Sequence, residues 1–155
     1  MVVLGIDPGT VKMGWAVMRH DGGHVTLLEC GCFKEKASKS MPQRLAGMYR
    51  NLCSIMVQYS PDLVCLEKAF VGENPASALS LGCVRGVVMI ASEMHEATLQ
   101  ERSPNTAKKG LTGFGNATKE DVMCTVHRFF GRRANEDAAD AVALAFSADL
   151  LSLNG

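Results

Sequence analysis

Two short apolar runs, Val2-Val3-Leu4-Gly5-Ile6 and Leu63-Val64-Cys65-Leu66, each end directly in a carboxylate, Asp7 and Glu67. Near-continuous aliphatic runs of this length read as strands buried on both faces, and such strands need helices packed over both sides of their sheet. Pro8-Gly9 stops the first run, so Asp7 is expected at the carboxyl end of a strand. Glu67 is expected at the end of another. This confines the chain to an α/β layer fold.

The rest of the chain fills in that frame. Stretches 13–19 and 25–33 flank Asp21-Gly22-Gly23, a turn signal, so the first three strands are expected to form an antiparallel meander. Ser40-Met-Pro-Gln43 has a capping-box pattern, and Met41, Leu45, Met48, Leu52, Ile55 and Met56 follow at helical spacing to a stop near Ser60-Pro61. Asn74-Pro75 opens a long helix through Leu79, Leu81, Val84, Val87, Val88 and Ile90, and a strand from Thr98 to Arg102 follows. Gly113-Phe114-Gly115 makes a loop, Thr118-Lys-Glu-Asp121 caps a helix to about Phe130, and Asn135 caps a last helix to about Leu151. Strands alternating with helices imply parallel pairing, giving a five-stranded mixed sheet with helices on both faces.

A chain of 155 residues with 47% hydrophobic content suits one domain spanning 1–155. No apolar run is expected to approach the roughly 18 residues of a membrane span, and the start lacks a basic leader, so the expected location is cytoplasmic. The six cysteines, Cys30, Cys32, Cys53, Cys65, Cys83 and Cys124, are scattered through mostly apolar stretches and read as reduced core residues; no zinc site is expected. Sixteen basic and sixteen acidic residues leave no net charge, so composition gives no hint of a polyanionic partner.

Asp137 and Asp140 stand three apart in the last helix, placing their Cβ atoms roughly 5–6 Å apart on one face. Acids are ordinarily favoured in a first helical turn by the helix dipole, which accounts for Glu136 and Asp137. It accounts poorly for Asp140, which continues into Ala141, Leu144, Ala148 and Leu151, the stripe that must pack on the sheet. Carboxylates facing a core are costly without compensating cations, and no arginine at helical spacing supplies one. Open α/β sheets place ligand chemistry at strand carboxyl ends, so Asp7 and Glu67 can join the pair. Hard divalent cations prefer such oxygen ligands, and a pair of them suits metal-assisted phosphoryl transfer.

Four blocks, Gly5-Ile6-Asp7-Pro8-Gly9-Thr10, Leu66-Glu67-Lys68-Ala69-Phe70, Asn74-Pro-Ala-Ser-Ala-Leu-Ser-Leu-Gly82 and Asp137-Ala-Ala-Asp140-Ala, together resemble the RuvC family of Holliday-junction resolvases in order and spacing, over nearly the whole chain. The resemblance implies a ribonuclease-H-like fold and a crossover junction endodeoxyribonuclease. Asp7, Glu67, Asp137 and Asp140 would then be the catalytic, metal-binding acids, holding Mg²⁺, two ions per site, with Mn²⁺ able to substitute. It further implies a homodimer that nicks a four-way DNA junction symmetrically and works with a branch-migration motor of the RuvA and RuvB type.

Lys119 matches a basic catalytic position, and Lys119 and Lys108 match DNA-contacting positions near the scissile phosphate; the neighbouring Lys109 competes for the latter assignment. Phe70 matches an aromatic that stacks on unpaired bases. Ala78, Gly82 and Gly86 give the long helix a small-residue strip where the resemblance places the dimer interface, although packing within one chain explains the strip equally. The four histidines read as structural or solvated, and Arg85, Arg132 and Arg133 carry no assigned role. Competing readings are a related ribonuclease-H-like nuclease acting on another branched or RNA-containing substrate, a non-catalytic junction-binding module, and an actin-like phosphotransferase, for which the chain lacks room.

Overall fold

The computed structural model describes residues 1–69 and 74–150. Five strands, β1 (Val2–Asp7), β2 (Lys12–Asp21), β3 (His24–Lys34), β4 (Leu63–Glu67) and β5 (Thr98–Arg102), form one sheet in the order β3-β2-β1-β4-β5. β1, β2 and β3 pair antiparallel, whereas β4 lies parallel to both β1 and β5. The meander turns through Gly22 and Gly23, both at positive φ (53° and 93°), as a two-residue hairpin between right-twisted strands requires.

The helices are α1 (Met41–Tyr59), α2 (Pro75–Met94), α3 (Pro104–Thr112), α4 (Lys119–Phe130) and α5 (Glu136–Phe146). Alternation along each strand divides the core in two. Leu4, Ile6, Val64 and Leu66 pack beneath Met48, Leu52 and Met56 of α1 and Val84 and Val88 of α2. Val3, Leu63 and Cys65 face the opposite side, against Ala107 and Leu111 of α3, Val122 and Val126 of α4 and most of α5. The expected mixed sheet with helices on both faces is therefore what forms.

Four expectations need correction. α3 is an element beyond those expected: Ser103 caps it, Pro104 occupies its first turn and Gly113 stops it, and Ala107 and Leu111 are the buried residues among its nine. The last helix ends at Phe146 rather than near Leu151. Gln100 of β5 draws the following segment away, its side chain accepting from the Asp149 N–H (2.8 Å) and donating to the Asp149 carbonyl (3.3 Å). Finally, α2 is long and apolar enough in composition to cross a membrane. Its many small residues hide this, and it packs one face on the sheet while Leu79, Ile90 and Met94 remain open. The cysteines also differ from expectation: Cys65 is buried, but Cys83 and Cys124 are exposed.

α5 lies unusually close to the sheet. A Cβ at Gly14 would stand 1.9 Å from the Asp137 carbonyl oxygen, and one at Gly5 would stand 2.1 Å from that of Ala141. Five alanines among the eleven residues of the helix permit this approach. At its far end the His20 Nε2–H donates to the Ala145 carbonyl (3.0 Å). Because the obstacle at Gly14 is backbone, Gly14→Ala is expected to destabilise the protein by about 3 kcal/mol, an overpacking cost. Urea denaturation checks this; a loss below about 1 kcal/mol would show that α5 can move away at little cost.

Candidate metal-dependent active site

Register alone brings the first two acids together. β1 and β4 pair in parallel up to Ile6 and Leu66, and one residue further on each strand stand Asp7 and Glu67. Asp7 shares the strand face of Val3 and Gly5, and Glu67 that of Leu63 and Cys65, which is the face covered by α5. Asn135 caps α5 by accepting from the Ala138 N–H (2.9 Å), and the first turn of the helix lies against Gly14, the β2 partner of Asp7. Asp137 and Asp140 then lie in its first turn and a half.

The result is a cleft of about 280 Å³ lined by Asp7, Glu67, Asp140, Lys108 and Lys119, with Pro104, Ala107, Ala143 and Leu144 as its apolar wall. Asp137 does not line the cleft; its carboxylate is close enough to raise the Asp7 pKa and accepts from the Cys32 thiol (3.6 Å). The four sequence-predicted acids thus converge. Lys108 lines the cleft whereas Lys109 is exposed outside it, which separates the two candidates. Lys119 reaches the cleft from the start of α4, its ammonium 2.6 Å from Glu136 Oε2. Phe70 lies outside the described residues.

Electrostatics show how tightly the acids crowd. Burial, with Glu67, Asp140 and Asp137 adding like charge, pushes the Asp7 carboxyl up to about 8. Burial and Asp140 raise Glu67, against the opposing pull of Lys108 and Arg85. Burial raises Asp140 as well, with Lys108 and Lys119 opposing. The compensating cations that α5 itself lacks come from α3 and α4, but two lysines do not balance four carboxylates and Glu136. The donor set suits a hard divalent cation. Among the described residues no three His, Cys, Asp or Glu side chains close into a complete ligand group; Mg²⁺ needs none, being ordinarily held by one or two carboxylates with water and phosphate oxygens completing its shell.

Sequence reasoning missed Arg85. It is buried in α2 and donates to the Glu67 carbonyl and to the Glu101 carboxylate. A buried arginine on a largely apolar helix was its only signal. Cys32, read as a core residue, also touches the site through Asp137.

A carboxyl whose folded-state pKa is raised favours the protonated native protein. Its stabilising contribution is present below the ordinary value of 3.8 and is lost as pH rises towards about 8. Without divalent cations, the melting temperature is therefore expected to fall between about pH 5 and pH 8.5, and Asp7→Asn is expected to flatten that fall. Calorimetry with and without Mg²⁺ checks both; an unchanged slope in Asp7→Asn would contradict the assignment.

Comparison with known proteins identifies the family. The family model "Crossover junction endodeoxyribonuclease RuvC" matches residues 3–148. Proteins of that name from Chlorobium phaeobacteroides and Rickettsia prowazekii are 39% and 37% identical, over 99% and 95% of this chain and 83% and 96% of their own lengths. The T. thermophilus RuvC structure in complex with Holliday junction substrate superposes with a TM-score of 0.86 at 26% identity, covering 95% of this chain and 92% of that one. With the family model matching nearly its whole length and relatives above 30% identity, the chain belongs to the RuvC family of crossover junction endodeoxyribonucleases.

Proposed function

We propose that this protein resolves four-way DNA junctions by paired symmetric nicks, through divalent-metal-assisted phosphodiester hydrolysis, in recombination and repair. The observation that carries the reading is the convergence of Asp7, Glu67 and Asp140 in one cleft with Lys108 and Lys119, Asp137 standing beside them. The junction bound in the T. thermophilus relative supports the substrate class.

Asp7, Glu67, Asp137 and Asp140 would hold Mg²⁺, two ions per site, with Mn²⁺ able to substitute. Bound there, the cations supply charge to the phosphodiester and an activated water for in-line displacement, with no covalent enzyme intermediate. The protein's own part is placement. The strand ends and α5 fix the carboxylates before substrate arrives, so little reorganisation is needed at the moment of reaction. Lys108 and Lys119 set ammonium charge on the wall of the cleft, where it meets the negative charge of the scissile phosphate. Lys119 exchanges Glu136 for that phosphate. Phe70, three residues after Glu67 in sequence, would stack on unpaired bases.

Symmetric nicking calls for two identical sites. The outer stripe of α2 suits that pairing: Leu79 (74% exposed), Ile90 (59%) and Met94 (69%) stand open, and a Cβ built at Gly82 or Gly86 would meet nothing within 4 Å among the described residues beyond its own stretch of helix. A branch-migration motor of the RuvA and RuvB type would present the junction, and the cytoplasm is the setting for that work.

Cleavage of a synthetic mobile junction in Mg²⁺ is expected to give paired symmetric nicks, reduced on the order of a thousandfold by Asp7→Asn or Asp140→Asn. Full activity in both variants would refute the carboxylate mechanism. Because the chain carries no net charge, junction binding is expected to depend steeply on a divalent cation, with Ca²⁺ restoring affinity without cutting; tight binding in chelator would show that affinity comes from elsewhere. Ile90→Glu is expected to yield monomers by sedimentation and to lose paired cutting. A dimer in that variant would move the interface away from α2.

A further inference from the structure

Arg85 is the buried charged residue that the reading above leaves without work. Its guanidinium spans two elements: one arm donates to the backbone carbonyl of Glu67 at the end of β4, the other to the carboxylate of Glu101 on β5. At this point the chain leaves the sheet. Lys68 makes a last backbone bond to the Arg102 carbonyl (2.7 Å), and neither Lys68 nor Ala69 lies in a strand. The Lys68 N–H shares a planar peptide unit with the Glu67 carbonyl, so that bond holds the unit from the β5 side, and Arg85 holds the carbonyl itself from α2.

The geometry points to Arg85 as a positioning residue that fixes the Glu67 carboxylate by clamping the Glu67 backbone to α2 and β5. This rests on the reading of Glu67 as a metal-binding acid. Such clamps act through orientation. A ligating carboxylate whose backbone is held on one side only samples more directions that do not meet the cation, and loss of an orienting partner costs roughly ten- to a hundredfold in metal affinity or activity. A planar guanidinium suits the role because its fork reaches two acceptors in fixed relation, which an ammonium on a flexible stem does not reproduce. Arg85 touches no reacting atom; it acts through Glu67.

The test uses the whole chain with Arg85→Lys, Glu101→Ala and Glu67→Gln. Three quantities are read: the Mg²⁺ concentration for half-maximal junction cleavage, the Mg²⁺-dependent rise in melting temperature of the DNA-free protein, and junction affinity in Ca²⁺. Arg85→Lys is expected to need about tenfold more Mg²⁺ and to show a smaller Mg²⁺-dependent rise. Glu101→Ala should shift both in the same direction by less. In a Glu67→Gln background, Arg85→Lys should add little, since both act on one interaction. A purely structural arginine would lower the melting temperature equally with and without Mg²⁺ and leave the Mg²⁺ requirement unchanged, and that result overturns the inference. If Arg85→Lys does not fold, Glu101→Ala decides alone: an unshifted Mg²⁺ requirement is fatal. Wild-type cleavage and Mg²⁺ response by Glu67→Gln would instead overturn the reading of Glu67, and the inference with it.

Discussion

Backbone contact between α5 and the first two strands governs the distances on which the site depends. The helix rests on Gly5 and Gly14, where no side chain intervenes, so its carbonyls lie against the sheet itself. Ordinary helix-on-sheet packing leaves a layer of interdigitated side chains between backbones, and such a layer would lift Asp137 and Asp140 away from Asp7 and Glu67. The acids are near neighbours because two strand positions carry no Cβ and because alanine supplies most of the facing surface.

That closeness creates the electrostatic tension of the cleft. Burial and mutual repulsion raise Asp7, Glu67 and Asp140 together, and the lysines of α3 and α4 relieve only part of it. Stability alone would favour apolar residues in these places. The metal-free native state therefore carries unfavourable charge that cation binding releases, which ties affinity for the cation to the rigidity of the scaffold. A looser seat for α5 would let the carboxylates spread, relieving the repulsion and weakening the site at once.

Much of this could be read from sequence because it follows from strand periodicity and chain order. The apolar runs ending in Asp7 and Glu67 gave the parallel strands, and the intrusion of Asp140 into the packing stripe of α5 marked it as more than a cap. Other parts could not be read locally. The cations opposing the acids, Lys108 and Lys119, stand away from α5 in sequence and are indicated there only by the family resemblance, and α3 is a short helix with two buried residues. Arg85 acts through a backbone carbonyl, a partner that no pattern of side chains reveals. The end of α5 was misjudged because Gln100, nearly fifty residues earlier, captures the backbone beyond it. Both of these are tertiary contacts.

The sheet also separates two kinds of surface. α1 and α2 share one core, whereas α3, α4 and α5 share the other, with the strands as a partition between them. Over evolutionary time this arrangement lets a lineage repack the α1–α2 side, and so redraw the outer stripe of α2, while the spacing of the carboxylates stays inherited. The two sides still meet at the strand ends. Arg85 reaches from α2 to the backbone carbonyl at the end of β4, so drift in the inner face of α2 is constrained there by the placement of Glu67, whose carboxylate lies on the opposite side of the sheet.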